Sequence, residues 1–187
     1  SLPDSLTENG KTADLPDMRI AESSAKWFGR TSIPSVRAAA LLDRFDVGQA
    51  NVLLPGIGQG FEVTLLLGRL GDHRAVFVWE SDPRWIFLAL RLHDWAVAIS
   101  QHRLVILTGP LERLTSILRA WLKEHVGHIC PDRILMWPWA TSVELAAVRS
   151  AVQDAYTVTE QERREQLDAL RNRRPPVLPR ADTSVGN

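Results

Sequence analysis

Three closely spaced glycines and a later acidic residue are the features of this sequence that could carry chemistry. The glycines lie in the segment Gly56-Ile57-Gly58-Gln59-Gly60, between an apolar run and an amphipathic segment. Glycine permits a sharp turn and a close approach of the backbone to a ligand, and the N–H groups of a helix start can face that ligand. Glu80 stands twenty residues after Gly60, at the end of the next apolar run, where a carboxylate can accept hydrogen bonds from ribose hydroxyls. Together these residues predict a site for a nucleoside-containing small molecule.

Two further polar residues follow apolar runs and complete the predicted site. Ser81 comes directly after Glu80, and Thr108 ends a later run. Ligands in open α/β sheets bind outside the carboxyl ends of the strands, where these residues are expected. The predicted cofactor-binding residues are Gly56, Ile57, Gly58, Gln59, Gly60, Glu80, Ser81 and Thr108. The sequence identifies no catalytic residue.

The same residues have structural interpretations that stay open at this point. The glycines could form only a tight strand-to-helix turn, and Glu80 could be a solvated carboxylate or a partner of Arg84. Asp82 is predicted to be a helix cap, because Pro83 follows it directly.

A metal site is not predicted. His125, His128 and Cys130 are close in sequence, but they straddle Gly127 without a recognised zinc spacing. Cys130 has no identifiable base partner and is predicted to be a small buried residue.

The elements that must position the glycine segment alternate between strands and helices. The patterns predict strands near 51–54, 75–80, 103–107 and 133–137, and helices near 34–45, 61–70, 84–92, 111–125 and 142–171. This alternation predicts an α/β fold, a doubly wound, mostly parallel sheet with helices on both faces. Trp137 and Trp139 flank a proline at the end of the fourth strand, where they could form a stacking surface or an interface with another domain.

The domain boundaries follow from composition. Residues 1–17 are polar and predict a flexible end, residues 18–170 predict the folded domain, and residues 171–187 predict a Pro/Arg-rich tail or linker. The helix near 142–171 could pack on its own sheet or on a second subunit, so an oligomer is possible.

Charge and cysteine content narrow the partners and the compartment. Lys plus Arg and Asp plus Glu both total 22, so no net charge attracts nucleic acid or an anionic membrane. No apolar run approaches the length of a membrane span. The single cysteine excludes an intramolecular disulfide and fits a reducing, cytoplasmic setting.

The Gly-x-Gly-x-Gly spacing resembles motif I of S-adenosylmethionine-dependent methyltransferases, which have a Rossmann-like fold. The resemblance implies S-adenosylmethionine as cofactor, with Gly56, Gly58 and Gly60 beneath it and Glu80 on its ribose. Two positions depart from that pattern. Leu54 stands where those enzymes usually carry an acid, and Trp137-Pro138-Trp139 offers no Asp or Asn of the amino-methylating type.

A second resemblance covers residues 26–109. The segment Lys26-Trp27-Phe28-Gly29-Arg30-Thr31-Ser32, the helix that starts at Pro34, the glycine segment and Trp79-Glu80-Ser81-Asp82-Pro83 are similar to a bacterial Rossmann module. That module occurs in motility accessory factor-like proteins and beside glycosyltransferase domains. The resemblance implies an accessory or N-terminal domain of a larger glycan-modifying protein, with a downstream catalytic domain. The alternatives are an active methyltransferase and a ligand-free scaffolding or interaction domain.

Overall fold

The computed structural model describes residues 33–172 with the exception of residues 44 and 139. The predicted flexible end, the segment 18–30, Trp139 and the tail beyond residue 172 therefore lie outside the described residues. The elements are, in chain order, α1 (Pro34–Asp43), β1 (Val52–Pro55), α2 (Phe61–Arg69), β2 (Val76–Glu80), α3 (Pro83–Leu92), α4 (Ala96–Ser100), β3 (Leu104–Thr108), α5 (Leu114–Glu124), β4 (Arg133–Ile134) and α6 (Ser142–Arg171).

The four described strands form one parallel sheet in the order β3-β2-β1-β4. The chain moves outward from β1 to β3 and then returns to the other side of β1 for β4. The direction of winding thus reverses between β1 and β4, and in open α/β sheets a crevice for ligands forms at the carboxyl ends of the strands at such a point. The predicted doubly wound α/β fold, Rossmann-like in its topology, is confirmed.

Alternate residues of each strand pack on opposite faces of the sheet, so both faces are buried. One face packs against α1 to α4 through Leu42, Val52, Leu54, Val63, Leu66, Val76, Val78 and Ala89. The other face packs against α5 and α6 through Leu53, Phe77, Val105, Leu107, Leu114, Leu118, Val148 and Val152. Burial of each such large side chain contributes about 2 kcal/mol, which makes these two cores the main source of stability.

The first half of α6 packs against α5 and contributes side chains to the core on this face of the sheet. Thr141 caps it, because its Oγ1 accepts a hydrogen bond from the Glu144 N–H while the Glu144 carboxylate accepts from the Thr141 N–H. Val148 and Val152 are buried in the core, whereas Tyr156 is exposed. Within the described residues, none of the helices unites the length and the apolar composition needed to cross a lipid bilayer.

Two elements differ from the sequence-based expectation. The short helix α4 was not predicted, and β4 comprises only two residues where a strand over 133–137 was expected. One further backbone bond joins the Leu135 N–H to the Leu53 carbonyl at 2.9 Å. Beyond Leu135 the contact with β1 is made by a side chain, because the Trp137 Nε1 donates a hydrogen bond to the Pro55 carbonyl.

Candidate functional site

The glycine loop, residues 56–60, joins the carboxyl end of β1 to the first turn of α2. Gly56, Gly58 and Gly60 have φ angles of 92°, 55° and 87°. These left-handed conformations favour glycine, because a Cβ atom would crowd the neighbouring carbonyl. The glycines therefore produce the sharp turn that directs the start of α2 toward the crevice.

Glu80 is bonded directly to this loop. It is the last residue of β2, and its Oε2 accepts a hydrogen bond from the Ile57 N–H at 3.0 Å, while Oε1 accepts from the Asp82 N–H at 3.0 Å. Burial raises the pKa of the Glu80 carboxyl above its usual range, and these two hydrogen bonds offset part of that rise. A carboxylate offers about four lone-pair positions, so Glu80 can brace the loop and still accept from a ligand.

The structure places all eight predicted site residues at the same edge of the sheet. Ser81 is exposed immediately after Glu80, and Thr108 is the register partner of Glu80 across β2 and β3. Adjacent strands lie about 4.8 Å apart, so Glu80 and Thr108 are neighbours. In the described part of the chain, no hydrogen bond joins the Ser81 or Thr108 side chain to the loop.

The Trp137 ring covers the first glycine. Its Nε1 donates a hydrogen bond to the Pro55 carbonyl at 2.7 Å, and a Cβ atom on Gly56 would lie 2.9 Å from that nitrogen. The Arg37 guanidinium lies over the indole, 5.6 Å from its centroid. Trp137 is buried, and its ring packs on the loop itself instead of presenting the open stacking surface that the sequence suggested.

Two other aromatic residues cover the third glycine. The rings of His93 and Trp95 stack with their centroids 5.0 Å apart, and a Cβ atom on Gly60 would lie 2.7 Å and 2.5 Å from them. The His93 Nε2 is 2.8 Å from the Gln59 carbonyl, and the Trp95 Nε1 donates to the Thr64 hydroxyl at 3.1 Å. His93 was not predicted, because it follows α3 in sequence and only the tertiary fold brings it to the loop.

A buried ion pair lies next to the loop and was also missed. Glu62, in the first turn of α2, has no exposed surface, and its Oε1 accepts from the Arg37 Nη2 at 3.1 Å. Burial raises the pKa of the Glu62 carboxyl, and the positive charge of Arg37 lowers it in part. An acid in a first helical turn is ordinary in sequence, because it complements the helix dipole, and so it gave no signal of burial.

Several structural interpretations are confirmed. The Asp82 Oδ1 accepts from the Arg84 N–H, so Asp82 is the cap of α3, and Arg84 forms its ion pair with Asp82 at 2.6 Å. Leu54 is fully buried in the core beneath α2.

The residues considered for metal binding lie in different surroundings. His125 and His128 are close to Trp121, whereas Cys130 is buried in the core beside α6. Burial raises the pKa of the Cys130 thiol to about 12, which keeps it protonated and unreactive. Among the described residues, no three His, Cys, Asp or Glu side chains are arranged to hold a metal ion.

Comparison with protein-family models and with curated proteins found no match to this chain. The arrangement of the loop, Glu80 and the surrounding rings therefore has to carry the functional argument.

Proposed function

We propose that this chain is a methyltransferase-like Rossmann domain that binds a nucleoside-containing small molecule at the glycine loop. One observation carries the proposal. The Glu80 carboxylate lies at the carboxyl end of β2, next to β1, and accepts a hydrogen bond from the Ile57 N–H of the loop. A carboxylate at this place is suited to accept hydrogen bonds from ribose hydroxyls.

The loop also offers a hydrogen-bond donor. The Gly58 N–H makes no hydrogen bond to another described residue, and Gly58 is buried two residues before Gly60, the cap of α2. Backbone N–H groups at a helix start favour anionic and polar ligand groups. Acceptor and donor together suit a nucleoside, and S-adenosylmethionine is the cofactor that the loop spacing favours.

The residues present support binding more than methyl transfer. The Leu54 side chain is enclosed in the core and cannot contact a ligand, and Trp137-Pro138 takes the place of a polar group that would orient an acceptor. S-adenosylmethionine would supply an activated methyl group when bound, with Glu80 holding its ribose. We therefore favour an accessory or N-terminal domain of a larger glycan-modifying protein, with a downstream catalytic domain. A cytoplasmic setting suits the buried free thiol of Cys130.

The first test is calorimetric titration with S-adenosylmethionine and with S-adenosylhomocysteine. We expect micromolar binding that is lost in Glu80→Ala and in Gly58→Asn. Asparagine tolerates the left-handed conformation at residue 58, but Gly58 is buried, so circular dichroism first has to show that this variant folds. Gly68→Ala is the matched control, because a Cβ atom there meets nothing within 4 Å.

The outcomes separate the alternatives. Binding that both site variants abolish and Gly68→Ala preserves supports the proposal, and a methyl-transfer assay then decides whether the domain is an active enzyme. Equal binding in all variants would place the ligand elsewhere. If neither compound binds, titration with a nucleotide sugar follows. If the nucleotide sugar does not bind either, the proposal of a nucleoside ligand is wrong.

An interaction domain without a ligand is the second candidate, and a specific observation favours it. Of the ten residues of α3, only Ala89 is fully buried. Large apolar side chains of α3 and α4 are exposed instead: Phe87, Leu90, Leu92, Val97 and Ile99. Exposed apolar groups mark an interaction surface where they form one contiguous patch. Self-association in sedimentation experiments that Phe87→Glu abolishes, together with no nucleoside binding, would favour this candidate.

A further inference from the structure

An open pocket lies at the amino ends of the strands, at the opposite edge of the sheet from the glycine loop. Its volume is about 280 Å³. The four segments that lead into β1, β2, β3 and β4 all contribute to its lining. This size is just below the range of pockets for drug-sized ligands and suits a smaller molecule.

The pocket is rich in basic residues. Its lining contains Arg74, Arg103, His73, His102 and His128, against Asp72 as its one acidic residue. At neutral pH the two arginines outweigh the single carboxylate. The pocket is therefore complementary to an anion.

Part of this basic character has a structural explanation. Cations near helix carboxyl ends complement the helix dipole. Arg103 does this, since its Nη2 donates to the Leu67 and Leu70 carbonyls at the end of α2.

Arg74 has no such explanation. It is half-buried, yet its side chain forms no hydrogen bond or ion pair with any part of the chain that the structure describes. None of its guanidinium nitrogens is enclosed by the protein, so all of them can be reached from the pocket. Its N–H groups remain free for a ligand in the pocket.

His102 adds a second, independent observation. Its φ angle of 55° is the one left-handed value of a residue other than glycine in the described chain. This conformation places its ring near two others, with centroids 4.6 Å from His125 and 5.8 Å from His128. Backbone strain of this kind concentrates at functional sites.

We propose that this amino-end pocket is a second binding site, which takes a small molecule that carries a phosphate group. Arg74 supplies the fixed charge, and the ring N–H groups of His102 and His128 supply further donors. The inference stands independently of the proposed function, because the glycine loop occupies the other edge of the sheet.

The test uses inorganic phosphate and the full chain, followed by NMR of the histidine rings. We expect saturable shifts of the His102 and His128 signals with millimolar affinity, while the His93 signals at the glycine loop stay unchanged. Arg74→Gln should weaken binding about tenfold or more, the loss expected for a hydrogen bond to a charged group. Arg164→Gln, which changes an exposed arginine of α6 outside the pocket, is the matched control.

A second variant keeps the test valid if Arg74→Gln proves unstable. Glycine adopts a φ of 55° without strain, so His102→Gly removes the ring and leaves the backbone favourable. We expect this variant to fold and to bind phosphate several-fold more weakly. Equal affinities in wild type, Arg74→Gln and His102→Gly would overturn the proposal, as would the absence of saturable shifts in the wild type.

Binding should also depend on pH. His128 faces His102 and His125, its carbonyl accepts from Arg163, and Asp72, Arg74 and Arg103 line the same pocket. Burial and the charges of His102 and His125 lower the pKa of His128. Sulfate, whose charge is constant, should bind more tightly at about pH 6 than at about pH 8, because a bound anion favours the protonated form of the His128 ring. Affinity that is equal at both pH values would contradict the role of the histidines.

Discussion

Replacing Gly60 with alanine should destabilise the protein even though alanine is the better helix former. Gly60 is the cap of α2 with φ at 87°, and alanine in such a left-handed conformation costs about 1–2 kcal/mol. The added Cβ would lie 2.5 Å from Trp95 Cη2 and 2.7 Å from His93 Cδ2, and overpacking of this kind costs about 1–3 kcal/mol. We therefore expect a loss of about 3 kcal/mol in the free energy of unfolding.

The matched control is Gly68→Ala, eight residues later in the same helix. A Cβ atom at residue 68 meets nothing within 4 Å, so alanine should stabilise the helix by about 1 kcal/mol. The same chemical change thus has opposite signs at two positions of α2. Urea unfolding followed by circular dichroism measures both, provided that the transition is two-state.

Thermal unfolding gives an independent readout. A loss of 3 kcal/mol in a domain of this size should lower the Tm by roughly 9 °C, while Gly68→Ala should raise it slightly. If Gly60→Ala were no less stable than Gly68→Ala, the close packing of His93 and Trp95 on Gly60 would be wrong. The described stacking of the His93 and Trp95 rings on the loop would then also be wrong.

Three further predictions follow from buried polar groups. Asn51→Ala should lower the free energy of unfolding, measured in urea, by about 3 kcal/mol, because the Asn51 side chain accepts from the Ala75 N–H and donates to the Ile129 carbonyl. A smaller loss than in a variant at an exposed site would refute this prediction. Burial raises the pKa of Glu62 above 4.5 in the folded state, so the free energy of unfolding should fall as the pH rises from 4.5 through the folded pKa. Glu62→Gln should make the free energy of unfolding depend less on pH over this range. An equal pH dependence in wild type and variant would contradict the prediction. Cys130, with its pKa raised to about 12, should resist iodoacetamide at about pH 8 until urea unfolds the chain, and rapid alkylation of the native protein would show that the thiol is accessible.

The sequence predicted the fold because the strongly apolar strands and their boundaries are local properties. Val76 to Glu80 is β-branched and aromatic, and Pro83 fixes the start of the next helix, so neither depends on distant contacts. The length of β4 was overestimated because the end of this strand depends on a contact with a distant part of the chain. Leu135 continues the apolar run, but Trp137 makes its contact with β1 through its side chain, which composition does not encode.

The surroundings of the glycine loop could not be predicted in the same way. Glu80 was found because strand, loop, helix and strand bring it to the loop at a known spacing. His93, Arg37 and Glu62 reach the loop only through the packing of α1 on α2 and the turn after α3. Their sequence positions, in or beside amphipathic helices, are those of ordinary surface residues.

The three glycines of the loop differ in how strongly they support ligand binding. Gly56 and Gly60 are explained by the protein's own aromatic rings, because Trp137 and Trp95 leave no room for a Cβ atom. A ligand is therefore not needed to account for either position. Gly58 is different, since its left-handed φ of 55° accompanies an N–H that no described residue accepts. Gly58 is also buried, so asparagine at residue 58 can disturb the loop even without a ligand, and circular dichroism first has to show that Gly58→Asn folds. Loss of binding in a folded Gly58→Asn variant then separates a binding loop from a structural one.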